Sequence, residues 1–292
     1  MYDETTITSL KRTAREVRRI LVSTPFGHDS GNLSMTEIAT ALYFYKMNHD
    51  PENPDWEERD RLILGKAHCA GTLYACLALA GYFPKERYLP LYGGNINWPD
   101  AEGWRTIFQG HVDRWCTPGI DFSGGSLGQG LGFAAGVAWG ALLKAPLDAL
   151  TGQPVPSYRV YCISGDGECN EGSIWESAMF AGRHKLANLV NIVDYNLFNT
   201  SETVSPFLEP FAEKWRSFGW YVAECDGHNL YDVCRVLDSL DTIPDKPKCI
   251  IAHTLKGKGV PYLEMTHLHS ASVPPEEVDR ALTTYLALIP ED

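Results

Sequence analysis

The sequence predicts an α/β fold, a doubly wound parallel sheet with helices on both faces. Three observations carry this. From residue 159 onward, short apolar, β-branched runs alternate with helical segments, the pattern of a parallel sheet covered on both sides. Of the 292 residues, 44% are hydrophobic, enough for a large core. Charged residues make up 21%, too few for a disordered polyelectrolyte. The length would allow two domains, but an α/β unit can absorb it as one. We read residues 1–292 as a single domain.

The elements follow in order. Ile7, Leu10, Ala14, Val17, Ile20 and Leu21 recur at helical spacing and predict an amphipathic N-terminal helix. Met35, Ile38, Ala39, Leu42 and Tyr43 predict a second, with Ser34 as cap and Glu37 three residues on. The breakers at Asp50-Pro51-Glu52-Asn53-Pro54-Asp55 predict a loop, Arg61-Leu62-Ile63-Leu64 a short strand, and 72–81 a helix ended by Gly81. Residues 84–120 hold many Pro, Gly and Trp with little periodicity and read as loops with short helical turns. The uncharged stretch 122–143 is long enough to span a bilayer, but its polar, Gly-rich start favours a loop running into a buried helix. Beyond it, strands are expected at 159–164, 189–194, 221–225 and 249–254, and helices at 172–186, 210–218 and 230–240. Ligands on such sheets sit at the carboxyl ends of strands, so the chemistry is expected after Ser164, Asp194 and Thr254.

Composition narrows the function. A net charge of −12 argues against a broad nucleic-acid or anionic-membrane surface. It leaves room for a phosphate held locally with a metal. The eight Cys form no C-x-x-C pair, and several lie in apolar runs such as Tyr161-Cys162-Ile163, where a reduced thiol acts as a small hydrophobe. The start, Met1-Tyr2-Asp3-Glu4, lacks signal-peptide features, and we expect a cytoplasmic protein.

After the strand at 159–164 comes Gly165-Asp166-Gly167-Glu168, then a helix. The glycines allow close backbone approach, and a helix start offers unpaired N–H donors suited to phosphate. The next strand ends Asp194-Tyr195-Asn196. A carboxylate, an amide oxygen and a backbone carbonyl make a hard oxygen set suited to Mg²⁺ shared with phosphates. A tight turn and an unrelated Asn would leave the same letters. The spacing weighs against that, because Asn196 follows Gly167 by 29 positions (196 − 167), one helix and one strand later.

This arrangement resembles the thiamine-diphosphate motif, and the run Gly165-Asp166-Gly167-Glu168-Cys169-Asn170-Glu171-Gly172 resembles the transketolase family. So do Gly27-His28, Arg59-Asp60-Arg61 with His68, Gly110-His111, Ser126-Leu127-Gly128-Gln129-Gly130, Lys214-Trp215-Arg216, Asp226-Gly227-His228 and Lys256-Gly257-Lys258-Gly259. The resemblance covers about residues 10–285 and only the diphosphate-binding part of that family. It implies the N-terminal subunit of a split enzyme, with the pyrimidine-binding and C-terminal domains on a partner chain and an α2β2 heterotetramer. The implied cofactors are thiamine diphosphate and Mg²⁺. The implied activity is transfer of a two-carbon ketol group between a sugar or small ketose and an aldehyde.

By the same resemblance, Asp166, Asn196 and the carbonyl of Phe198 would hold Mg²⁺. Gly165, Gly167 and Glu168 would shape the diphosphate loop, with His68 beside it. Gly125, Ser126 and Leu127 would lie beside the aminopyrimidine. His28, His111 and His269 would line the substrate channel, where imidazoles suit proton transfer near neutral pH. Glu171 would sit at the subunit interface and couple to the partner's activating glutamate. The plain alternative for Glu171 is a dipole-favoured acid at a helix start. His49, His184 and His267 read as structural. Gly128, Gly132, Gly136 and Gly140 share a helix face, for either a subunit interface or close packing on the chain's own sheet.

Other readings keep the cofactor but change the reaction: loading a two-carbon unit onto a carrier protein, or a 2-oxo-acid decarboxylase subunit. A non-catalytic scaffold would not need Asp166, Asn196, Glu171 and His68. A nicotinamide-binding domain lacks support, since Gly128-Gln129-Gly130-Leu131-Gly132 does not match G-x-G-x-x-G. The chain departs from the family's usual pattern at several points. Gly27-His28-Asp29-Ser30 stands for G-H-P-G, Lys66-Ala67-His68 for K-G-H, and Gly124-Gly125 replaces T-G before Ser126. Leu197 stands where Gly is common, and Leu268-His269-Ser270 for W-H-G. The cofactor core is kept while channel-facing segments differ, which suggests an unusual donor or acceptor.

Overall fold

A computed structural model describes residues 3–92, 105–150, 152, 154–199, 202–203 and 208–285. Among the described residues, five strands form one all-parallel sheet: β1 (Arg61–Leu64), β2 (Val160–Gly165), β3 (Leu189–Tyr195), β6 (Tyr221–Asp226) and β7 (Lys248–His253), in the order β1-β2-β3-β7-β6. A two-residue antiparallel pair, β4 (Phe198–Asn199) and β5 (Glu202–Thr203), follows β3.

Alternation along the strands splits the core into two layers. Tyr161, Ile163, Ile250 and Ala252 join the cluster under α1 (Glu4–Ser23), α3 (Thr36–Ala41), α4 (Ala70–Ala80) and α9 (Leu230–Ser239). Val160, Cys162, Cys249 and Ile251 face the other cluster, under α6 (Gln129–Lys144), α7 (Gly172–Arg183) and α8 (Phe211–Ser217). Both faces are therefore covered, as the near-continuous apolar strands require. All eight cysteines are free, and seven are buried.

The expected elements are present, with three differences. Ser34 is not a helix cap. The chain instead forms α2 (Asp29–Ser34), bends at Met35, and continues through α3 into a single π turn at Leu42–Lys46. The reason is that a buried carboxylate competes for the hydroxyl: Ser34 Oγ reaches Asp194 Oδ2 and also lies 3.0 Å from the Gly31 carbonyl. Glu37 likewise turns inward, to Arg18 and His228. The second difference is at the strand ends, which lie a residue away from expectation, so the functional loops begin after Gly165, Tyr195 and His253. The third is at α7, which stops at Arg183 rather than 186. In the expected loop region, α5 (Lys85–Tyr88) is a single helical turn, and 93–104 lie outside the described residues. The stretch after residue 122 is a loop leading into a helix, as expected, but α6 is buried on one face only and exposes Phe133, Trp139 and Leu143; no helix among the described residues is long and apolar enough to cross a membrane.

Candidate active site at the carboxyl edge of the sheet

The loops leaving β1, β2, β3 and β7 meet the start of α2 around a cleft of about 240 Å³. At its floor lies Asp194, fully buried at the end of β3. Its carboxylate pairs with the Lys66 ammonium and accepts from Ser34, Thr254 and Asn196, the last through Nδ2 at 3.1 Å. Burial disfavours charge on both Lys66 and Asp194, but each outweighs that for the other: the Lys66 pKa is raised and the Asp194 pKa lowered.

This pair fixes Asn196. With Nδ2 committed to Asp194, Oδ1 points the other way and accepts the Phe198 N–H at 3.1 Å. Asp166 caps its own turn, with Oδ1 accepting the Gly167 N–H at 2.8 Å and Oδ2 the Leu197 N–H at 2.6 Å. The two loops are thereby laced together. A methyl group on Gly167 would come 3.1 Å from Asn199 Cα and 3.3 Å from the Phe198 carbonyl oxygen, so any side chain there would push the β3–β4 turn back by a few tenths of an ångström. Leu197 takes the left-handed conformation, φ +69°, that the turn demands, at a cost of about 1–2 kcal/mol.

The donor set fits the expected ion. Asp166, Asn196 and the Phe198 carbonyl are hard oxygens on two adjoining loops, which suits Mg²⁺ better than a thiolate- or imidazole-binding metal. Burial, followed by the nearby Asp194, pushes the Asp166 carboxyl up to about 7. Glu168 is also buried, at about 7 for the same first reason. Its carboxylate accepts from Gly128 N at 2.8 Å and Gly165 N at 3.1 Å, clamping the 125–128 segment to the G-D-G loop.

Four imidazoles, those of His28, His68, His111 and His269, line the other side of the cleft. The His28, His68 and His269 rings form a triangle, with centroids 5.1 Å apart for His28–His68 and His28–His269, and 5.4 Å for His68–His269. Burial, then Lys66, holds the His68 pKa down at about 2, and burial, then Lys256, holds that of His269 at about 4. His28 is lowered by burial and by His111 and Lys256. These three rings are neutral near pH 7, in the state that accepts a proton.

Gly125, Leu127, Gly165, Gly167 and Glu168 line the cleft with His68. Ser126 is exposed between two lining residues. Glu171 lies outside the cleft, exposed at the N-cap of α7, and its side chain caps no backbone N–H. His49 bonds the Tyr43 carbonyl at 2.7 Å and stacks on Tyr82, and His184 packs on Trp139 and Phe180, both as structural histidines. Sequence reasoning missed the roles of Lys66, Asp194 and Lys256. A signal was available: Lys66 follows the buried strand β1, and Asp194 ends an apolar strand, where an unpaired charge would be untenable. Lys256 stands 4.9 Å from the centre of the Phe198 ring, and its pKa is lowered by burial and by Lys66.

The thiamine diphosphate binding domain of transketolase matches residues 19–287. A 6-deoxy-6-sulfo-D-fructose transketolase subunit from a Clostridium species is 41% identical over 257 residues, covering 87% of this chain and 84% of that one. An apulose-4-phosphate transketolase subunit from Actinobacillus succinogenes is 36% identical over 291 residues, covering 96% and 95%. Among solved structures, transketolase from Campylobacter jejuni superposes with a TM-score of 0.79 at 26% identity, and that from Leishmania mexicana with 0.81 at 24%. The chain spans only 45% of each of those two proteins, against 99% and 97% of itself. The chain belongs to the transketolase family as its thiamine-diphosphate-binding domain.

Proposed function

We propose that the chain is the diphosphate-binding subunit of a two-chain transketolase and that it moves a two-carbon ketol group from a ketose to an aldehyde. The observation that carries this is the cleft itself. Metal-suited oxygens on Asp166, Asn196 and Phe198 face a triangle of neutral imidazoles across one cavity. Thiamine diphosphate, when bound, supplies the electron sink for breaking and making the carbon–carbon bond. Asp166, Asn196 and the Phe198 carbonyl hold its metal, and the Gly165–Glu168 loop and His68 receive its diphosphate. Breaking the C2–C3 bond of the ketose removes the proton from the C3 hydroxyl and releases an aldose shorter by two carbons. Of the three rings, His28 escapes the deep lowering of His68 and His269 and is the one suited to take that proton and later return it to the acceptor's oxygen.

The case for a partner rests on the relatives. Two of them are named as subunits and match over most of their own length, while single-chain transketolases run to more than twice the matched part. We therefore place the pyrimidine-binding and C-terminal domains on a second chain and treat residues 1–292 as one cofactor-binding domain. An α2β2 heterotetramer, with the exposed Glu171 at the subunit boundary, accommodates this. The free, mostly buried thiols suit a cytoplasmic setting. The two relatives' names carry a sulfonated and a phosphorylated sugar. Together with the altered residues 29–30 and 268–270, this favours a sugar with an anionic terminus other than the ordinary pentose phosphates.

The test is reconstitution. The chain alone, with thiamine diphosphate, Mg²⁺ and a panel of ketose donors including sulfonated and phosphorylated sugars, should show no turnover. Adding a pyrimidine-binding partner should restore it. Turnover by the purified single chain would overturn the two-chain reading, and a clear preference for pentose phosphates would overturn the substrate reading.

A further inference from the structure

Several of the unusual positions in the sequence meet at one place. The segment 268–273 crosses the start of α2 and is tied to it by hydrogen bonds along its length. Gly27 N–H donates to Ser272 Oγ at 3.2 Å and Asp29 N–H to the Ala271 carbonyl at 3.0 Å. Val273 N–H donates to Asp29 Oδ2 at 3.0 Å and Ser30 Oγ to the Leu268 carbonyl at 2.7 Å. Ser270 Oγ lies 3.0 Å from His28 Nε2. Asp29 is buried, and its other oxygen, Oδ1, has no hydrogen-bond partner among the described residues. A carboxylate in that position is a poor choice for stability unless the bonds it makes to the strap matter.

The strap carries His269 to within 5.1 Å of the His28 ring. His28 has φ +54° and follows Gly27 at φ +73°, so two consecutive left-handed residues turn its side chain into the cleft. Non-glycine residues held there cluster at functional sites, where surrounding bonds over-determine the conformation. The His28 imidazole meets the His68 and His269 rings and the Ser270 hydroxyl. Ring packing alone does not fix which edge of the imidazole faces the strap, whereas a hydroxyl held 3.0 Å from Nε2 does.

We propose that Ser270 is a positioning residue that fixes the orientation of the His28 ring, from a strap held in place by Asp29 and Ser30. The proposal rests on the ketol-transfer reading for its kinetic consequence only. The geometry itself concerns groups of this chain. A serine hydroxyl can donate to Nε2 or accept from it, so the contact holds the ring whichever nitrogen carries the proton, and Nε2 is committed to the strap. This makes Ser270 a determinant of how His28 meets the hydroxyl groups of a bound sugar.

The experiment uses Ser270→Ala and Ser270→Thr, in the full chain alone and in the reconstituted two-chain enzyme. In the chain alone, ring-nitrogen NMR of His28 should show an Nε2 resonance shifted by its hydrogen bond in the wild type and in Ser270→Thr, and a displaced Nε2 resonance in Ser270→Ala. In the complex, Ser270→Ala should lower kcat by roughly 10- to 100-fold, the scale of a misplaced reacting group. Its pH profile should shift, thiamine diphosphate affinity and melting temperature should stay unchanged, and Ser270→Thr should restore the rate. Unaltered ring-nitrogen shifts in Ser270→Ala would overturn the proposal whatever the activity. A wild-type complex without ketol transfer would refute the functional reading but leave the NMR comparison decisive for the positioning role. A fall in melting temperature with kcat lost in both variants would mark Ser270 as merely structural.

Discussion

The Lys66 ammonium and the Asp194 carboxylate form a fully buried ion pair, and the same carboxylate sets which way Asn196 faces. Packing, charge and the proposed metal site are thus linked through one side chain. Replacing Lys66 by Met leaves Asp194 buried with three neutral donors and no cation. We expect this to cost about 3–5 kcal/mol, as for other buried pairs broken on one side. Because the Asp194 pKa is lowered, its contribution is present above the unfolded value and lost as pH falls through the folded one. Because the Lys66 pKa is raised, its contribution is present below the unfolded value and lost as pH rises through the folded one. The pair is therefore intact from about pH 5 to about pH 10. Urea denaturation at pH 7 checks the cost, and a loss under about 1 kcal/mol would show that the floor of the cleft relaxes around the missing charge.

Asp166→Ala and Asn196→Ala each remove an oxygen from the proposed metal set while leaving the Lys66–Asp194 pair in place. We expect both to abolish Mg²⁺-dependent binding of thiamine diphosphate in the assembled complex. The protein carries a net charge of −12, so the diphosphate would meet an acidic chain without its counter-ion. Calorimetric titration decides this, and wild-type affinity in both variants would move the metal elsewhere.

The sheet was legible because its strands are buried on both faces and read as apolar runs between helical periods. The G-D-G loop and Asn196 were legible because their spacing equals one helix plus one strand. What escaped was anything that depends on a partner distant in sequence. Ser34 reads locally as a cap, and only Asp194, 160 positions away, explains why its hydroxyl points inward. Lys66 lay inside a recognised motif, but its role depends on a carboxylate 128 residues later. The strap at 268–273 was visible only as isolated oddities at Asp29, Ser30 and Ser270. Their pairing across about 240 residues emerges once the chain is folded.

The depressed histidines predict a pH dependence. His68 has a folded pKa of about 2 and His269 of about 4, against roughly 6.5 unfolded. Below the unfolded value the unfolded chain binds more protons, so these groups leave stability intact above about pH 6.5 and reduce it as pH falls. His68→Gln removes one such group. The slope of unfolding free energy against pH between about 6 and 4 should be shallower in the variant than in the wild type. Parallel slopes would mean that His68 takes up its proton without penalty in the folded chain.

The glycines of α6 divide into two kinds, which bears on where the partner docks. A methyl group on Gly130 would come 2.5 Å from Gly65 Cα, a backbone contact that cannot yield. Gly130→Ala should therefore cost about 1–3 kcal/mol by overpacking. Among the described residues, nothing lies within 4 Å of a methyl group built on Gly136 or Gly140, so close packing on the chain's own sheet does not account for them. In the isolated chain, Gly136→Ala and Gly140→Ala should each add about 0.5–1 kcal/mol, the usual gain in a helix interior. The same helix exposes Phe133, Trp139 and Leu143, and α7 beside it exposes Met179. If the second subunit packs closely on this face, Gly136→Leu should weaken assembly in sedimentation experiments while leaving the isolated chain folded. Wild-type assembly by Gly136→Leu would place the partner on another face, and a destabilised Gly136→Ala would show that the face is already packed within the chain.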